Sequence, residues 1–224
     1  MTKMVPALAL VSLFGALGAG WIGAEEGSAL RVGSISGTVT LEPPPPPRRT
    51  PNRYGGTRSA IIQQLPAVVY LRGRIGAPPP PDYVANPEMT QRDSAFAPAA
   101  VALTVGGTVS FPNRDPFFHN VFSSSGTKRF DLGRYREGES KDVVFDKPGI
   151  VEVFCEVHDQ MRGAIVVTEN PFHAVVSEDG AFRIDGVPPG EYVLVAWHAE
   201  HDELERTVTV TEGEDSRIEV ELRR

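Results

Sequence analysis

The sequence predicts an all-β protein built as two sandwiches, and three observations predict it. Apolar and polar residues alternate in short runs, the signature of half-buried strands. Gly, Pro, Asn and Asp clusters separate those runs, and the 22 Gly and 20 Pro residues suit a chain with many turns. No long helical pattern competes.

At 224 residues the chain holds one large domain or two small ones. With 41% hydrophobic and 23% charged residues it can bury a core and is not a disordered polymer. The first residues read as a secretory leader. Lys3 is followed by an almost uncharged apolar stretch from Val5 to Ile22, and Gly23-Ala24 precedes the acidic pair Glu25-Glu26. Cleavage after Ala24 fits this pattern, and an uncleaved membrane anchor is the blander alternative. Cleavage removes Lys3 and no acid, taking the formal charge from −7 to −8. An acidic chain lacks the basic face that nucleic acid requires. With no second apolar span, no stable membrane crossing is expected once the leader is gone. The expected location is the periplasm or the exterior. A single cysteine excludes an intrachain disulfide. A lone thiol in an oxidising compartment is a liability unless it is buried or bound to a metal.

Strands are expected in order along the chain. Residues 30–41 alternate and are rich in β-formers. Pro43–Pro47 opens a proline-rich loop to about residue 59, extended as polyproline II and read as a spacer. Residues 65–73 form the second strand. Residues 83–98 read as irregular, with Met89 and Phe96 as apolar anchors. Then strands at 101–105, 108–111, 120–123, 141–145, 150–154 and 163–168 follow in close order, with turns between them. In the tail, 173–177 and 181–184 read as a hairpin around Asp179-Gly180. Strands at 192–198, 204–210 and 217–222 complete a second sandwich.

Between the apolar runs 150–154 and 164–167 lies Cys155-Glu156-Val157-His158-Asp159-Gln160-Met161. It carries the only cysteine, a histidine, and one of four methionines, while His119 opens an apolar run upstream. One thiolate, two imidazoles and one thioether match a blue-copper site: two His and one Cys near a plane, with a weak axial Met. Each residue also has a plainer reading. A lone strand Cys is usually a small buried hydrophobe, and a lone His is usually structural. Zinc takes Cys and His, but Met is a poor zinc ligand. A Cys155–His158 nucleophile would need an oxyanion element and an orienting group, and neither is evident. His173, His198 and His201 are left as surface or structural residues.

The residues Val105-Gly106-Gly107-Thr108-Val109-Ser110-Phe111-Pro112-Asn113, His119-Asn120-Val121, Pro148-Gly149 and Cys155-x-x-His158-x-x-Met161 resemble the cupredoxins. The short ligand loop is most similar to that of amicyanin, and the context from Met89 to Gly133 resembles plastocyanin-like, methylamine-utilisation-type proteins. The resemblance covers about residues 85–168. It implies a Greek-key sandwich with one type 1 copper held by His119, Cys155, His158 and Met161. It further implies that Asn120 ties the two ligand-bearing segments together by hydrogen bonds. Phe117 and Phe118, with Met161, are either an apolar rim where redox partners dock or internal packing.

The tail motifs Asp179-Gly180-Ala181-Phe182-Arg183-Ile184 and Pro188-Pro189-Gly190-Glu191-Tyr192 resemble a carboxypeptidase regulatory-like (transthyretin-like) domain. That family usually opens with a Gly-x-Ile/Val-x-Gly-x-Val strand, which the tail lacks and Gly33-Ser34-Ile35-Ser36-Gly37-Thr38-Val39 supplies. The expected organisation is therefore a leader at 1–24, a cupredoxin domain at 85–168 inserted into a second sandwich, and that sandwich made of residues 31–77 and 169–224. The expected function is one-electron transfer between a donor and an acceptor redox protein, with no enzymatic activity of its own. The alternatives are a copper carrier or a non-redox binding or scaffold module. Carriers favour Met-rich exposed sites, and two of the four methionines here fall in the leader.

Overall fold

The computed structural model describes residues 31–44 and 63–224. The expected leader (1–24) and nearly all of the proline-rich loop (43–59) lie outside the described residues. Among the described residues every regular element is a strand, and no helix is long and apolar enough to cross a membrane.

The chain begins with β1 (Gly33–Leu41) and β2 (Val68–Leu71). Nine strands follow: β3 (Thr90–Arg92), β4 (Ala95–Ala97), β5 (Ala100–Thr104), β6 (Thr108–Pro112), β7 (His119–Ser124), β8 (Arg129–Tyr135), β9 (Ser140–Val144), β10 (Gly149–Phe154) and β11 (Arg162–Thr168). The last five are β12 (His173–Val175), β13 (Ala181–Val187), β14 (Gly190–Trp197), β15 (Leu204–Val210) and β16 (Asp215–Leu222).

The middle of the chain forms a five-stranded sheet in the order β5-β11-β10-β7-β8, with two-stranded pieces β6-β9 and β3-β4. Its core holds Phe96, Phe111, Tyr135, Phe145, Met89, Leu103 and Ile165, all at most 1% exposed. The other sandwich faces a three-stranded sheet, β13-β1-β16, against a four-stranded one, β12-β2-β14-β15. Its core includes Ile35, Leu71, Phe172, Ile184, Leu194 and Leu222. β1 lies between β13, antiparallel, and β16, parallel. Gly37 permits this: a Cβ there would sit 1.8 Å from the Ile218 carbonyl oxygen.

Strand alternation also explains how the two cores join. Val69 and Leu71 of β2 point into their own sandwich, while Val68, with Leu65 before the strand, packs on Ala100, Ala102, Ala164 and Val166. On β5 and β11 the intervening Val101, Leu103, Ile165 and Val167 face the other way, into the middle core. The small alanines let the two sheets lie close together.

Three expectations differ from the structure. Residues 83–98 contain the hairpin β3–β4, whose two-residue turn Asp93-Ser94 has positive φ at both positions (54° and 56°). Such a turn usually carries Gly or Asn, so its sequence signal is weak. β8 was not expected as a strand, and its pairing with β7 carries a register shift between Asn120 and Phe122. The tail hairpin closes as a turn, with Ser177 N–H donating to the Ala181 carbonyl, but its arms separate. β12 pairs with β2, whereas β13 pairs with β1 in the opposite sheet. Turn chemistry fixes a chain reversal; it does not choose which neighbour each arm joins.

Candidate metal centre

β7 and β10 are antiparallel neighbours, with Phe122 opposite Phe154. That register places the start of β7 beside the loop leaving β10, so His119 meets Cys155 and His158 although they are far apart in sequence. The His119 Nδ1 atom lies 3.5 Å from Cys155 Sγ and 3.2 Å from His158 Nδ1. All three donor atoms fall within 4.8 Å of one another, and no other such group occurs among the described residues. Cys155 and His119 are buried and His158 is half-buried.

Met161 closes the loop. It is 1% exposed, belongs to the same core cluster as Cys155, and its N–H donates to the His158 carbonyl at 2.9 Å. Asn120 Oδ1 accepts the Glu156 N–H at 2.8 Å, a side-chain tie between β7 and the Cys155 loop. Phe117 stands over both imidazoles, with ring centroids 5.1 Å from His119 and 5.3 Å from His158. Phe117 is 42% exposed and Phe118 56%, so both rings reach the surface, whereas Met161, expected beside them, is buried. Val157, 40% exposed, lies between Cys155 and His158 in the same loop.

The first histidine is held from behind. Asp115 Oδ2 lies 2.7 Å from His119 Nε2, and both residues are buried. Asp115 also accepts the Asp93 and Ser94 N–H groups at 2.7 and 3.0 Å, while its own N–H donates to Asn113 Oδ1 at 2.9 Å. Burial alone would raise the Asp115 carboxyl. The hydrogen bonds from Ser94, His119 and Asp93 outweigh it and hold the group below its ordinary value. Burial, and then the neighbouring His119, hold His158 below its ordinary value, which favours the neutral ring with a lone pair to donate. Asn113 Nδ2 donates to the Phe117 and Tyr135 carbonyls at 2.9 and 3.1 Å, fixing the loop that carries the aromatic rim. Burial raises the Tyr135 phenol well above its ordinary value, and its hydroxyl donates to the Phe111 carbonyl at 2.9 Å.

Sequence reasoning gave neither Asn113 nor Asp115 a part in holding the metal ligands. Polar turn formers and buried polar anchors use the same residue types, so composition does not separate them. Of the histidines left over, His198 is buried with Nε2 2.9 Å from the Leu65 carbonyl, and His201 Nδ1 lies 2.7 Å from His198 Nδ1. His173 pairs edge-on with Tyr83. All three stand apart from the metal-ligand cluster.

The donor set fits a copper ion. It offers one soft sulfur donor and two imidazoles, and Asp115 occupies the second nitrogen of His119 while leaving the first facing the cluster.

Residues 85–168 match the copper binding proteins of the plastocyanin/azurin family, and residues 159–223 match the carboxypeptidase regulatory-like domain. The two ranges overlap on β11, which in the structure pairs with β5 and β10 of the middle sheet. Among solved structures, the chain is similar to a copper-containing nitrite reductase from Thermus scotoductus SA-01, with 26% identity and a TM-score of 0.36. That match covers 44% of this chain and 25% of the reductase. A purple cupredoxin from Nitrosopumilus maritimus is 22% identical with a TM-score of 0.33, covering 38% of this chain and all of that one. A methionine-to-alanine variant of amicyanin in its Cu(I) form is 17% identical with a TM-score of 0.35, covering 44% of this chain and 97% of that one. No curated protein matches the sequence.

Proposed function

We propose that this chain, which joins a plastocyanin/azurin-type cupredoxin domain to a carboxypeptidase regulatory-like domain, carries single electrons between two redox proteins. Cys155, His119 and His158 would hold one type 1 copper, with Met161 as the weak axial ligand. Copper bound by a thiolate and imidazoles supplies a one-electron couple, since those donors serve both oxidation states. The observation that carries the reading is the convergence of the Cys155 thiol and two imidazole nitrogens within 4.8 Å in a buried pocket.

The chain's own part is to hold that geometry still. Asn120 locks β7 to the Cys155 loop, and Asn113 locks the loop before β7, so the donors do not rearrange when charge changes. Phe117, packed against the half-buried His158, and the exposed Phe118 beside it in sequence would offer a partner an apolar contact. The donor and acceptor would be redox proteins with a matching apolar face.

The same proposal includes the leader at 1–24 and an exported protein. It also divides the chain into a cupredoxin unit at 85–168 inserted into a sandwich made of 31–77 and 169–224. The pairing of β1 with β13 and β16, and of β2 with β12 and β14, supports that division.

Loading the purified protein with Cu(II) should give an intense visible thiolate-to-copper band that bleaches reversibly on reduction. Cys155→Ser should abolish it. A protein that binds no copper, or a band that survives in Cys155→Ser, would overturn the reading.

A further inference from the structure

We infer that Asp115 is a positioning residue for the metal centre: it fixes the tautomer of His119 and biases the site toward the oxidised ion. The second half of this inference rests on the copper reading above; the first half does not.

The tautomer follows from donors and acceptors. The Asp115 carboxylate accepts from two backbone amides, Asp93 N–H and Ser94 N–H, and has no proton to give. His119 Nε2, 2.7 Å from Oδ2, must therefore carry the proton of that hydrogen bond. A neutral ring then has its lone pair on Nδ1, the atom that faces Cys155 Sγ and His158 Nδ1. Of the two neutral tautomers, this hydrogen bond selects the one that can ligate through Nδ1. A ring hydrogen-bonded to a carboxylate is also more basic and a stronger ligand than one bonded to a neutral acceptor.

The charge balance gives the bias. Asp115 is 4% exposed, and no lysine or arginine is among its partners in the described residues. With a Cys155 thiolate the pocket carries two negative charges, which a divalent ion neutralises and a monovalent ion does not. In a buried site that imbalance favours the divalent state. The turn at Asp93-Ser94 serves the same purpose. Its positive φ values turn both amides onto the carboxylate, so a hairpin remote from the ligands in sequence holds Asp115 in place.

Two measurements on the full chain test this. Nitrogen-15 NMR of the metal-free wild type should show His119 as the Nε2–H tautomer; a ring protonated on Nδ1 would overturn the inference without any variant. In Asp115→Asn, the thiolate-to-copper band should persist. Cu(II) affinity should fall about 10- to 100-fold and Cu(I) affinity much less. Each tenfold difference should raise the reduction potential by about 59 mV. A variant with an unchanged potential would mean that Asp115 only anchors the turn. If the wild type shows no copper band, the copper reading fails and the redox bias falls with it. If the band is present and the potential does not move, only the role of Asp115 fails.

Discussion

The two halves of the molecule use polar groups in opposite ways. In the sandwich made of β1, β2 and β12 to β16, ion pairs such as Arg72–Glu203, Arg183–Asp185 and Arg223–Glu221 lie on the surface. Its core cluster includes Ile35, Leu71, Phe172, Ile184, Leu194 and Leu222, and buried Asn170 and His198 bind the backbone carbonyls of Leu71 and Leu65. In the cupredoxin unit Gln91, Asn113, Asp115, His119 and Asn120 are all buried at one end, around the metal-ligand cluster. Burying such groups is costly unless each is hydrogen-bonded. Buried Asn170 and His198 serve backbone carbonyls in one half, while buried Asp115 and Asn120 serve the candidate site in the other.

The largest expected effect tests whether the halves are separable in this sense. Leu194→Ala, at the centre of β14 and 1% exposed, removes apolar contacts from the sandwich core. It should lower the unfolding free energy by about 3–5 kcal/mol, read from urea denaturation, with the visible spectrum of the copper-loaded protein unchanged. A shifted band would show that the sandwich core helps hold the copper loop in register.

Acid should sharpen the contrast from the sandwich side. His173 on β12 is largely buried, its Nε2 has no hydrogen-bond partner, and burial pushes its pKa down to about 4. Unfolded, the ring titrates near about 6.5. Between these values the unfolded chain binds a proton that the folded chain refuses, so stability falls as pH falls. The loss should reach about 3 kcal/mol by pH ~4. His173→Phe keeps an aromatic ring against Tyr83 and removes the titration. Urea midpoints at pH ~7 and ~4.5 should separate less in the variant than in the wild type, and equal separations would refute the assignment.

The same contrast decides what was legible in the sequence. A strand such as β16 announces itself because one face is wet and the other dry, so Ile218, Val220 and Leu222 stand out against Arg217, Glu219 and Glu221. The cluster of His119, Cys155 and His158 was legible because soft donors are rare in this chain and sit at ligating spacing. What failed was the part where polar residues are buried. Thr90-Gln91-Arg92 shows no alternation, since Gln91 points inward and hydrogen-bonds to the Phe111 carbonyl. Asp115 lies in a Pro-containing turn and reads as solvent-facing. Only the three-dimensional pairing with His119 and the Asp93-Ser94 turn reveals its burial.

The smallest expected effect compares two contacts between a carboxylate and a nitrogen base, one exposed and one buried. Arg31–Glu212 ties the start of β1 to the β15–β16 turn, with side chains 76% and 45% exposed. Water solvates both partners whether or not they touch, and holding two long side chains together costs entropy. Arg31→Ala should therefore change stability by less than about 1 kcal/mol, and that difference should vanish in high salt. Asp115–His119 is also a carboxylate beside a nitrogen base, but neither side chain is more than 6% exposed. Water cannot replace a lost partner there, so the surviving group is left buried without compensation. A salt-insensitive loss in Arg31→Ala comparable to that of a buried pair would contradict the view that the sandwich surface is electrostatically replaceable. A small, salt-screened change would confine the functional electrostatics to the end of the cupredoxin unit where the ligands converge.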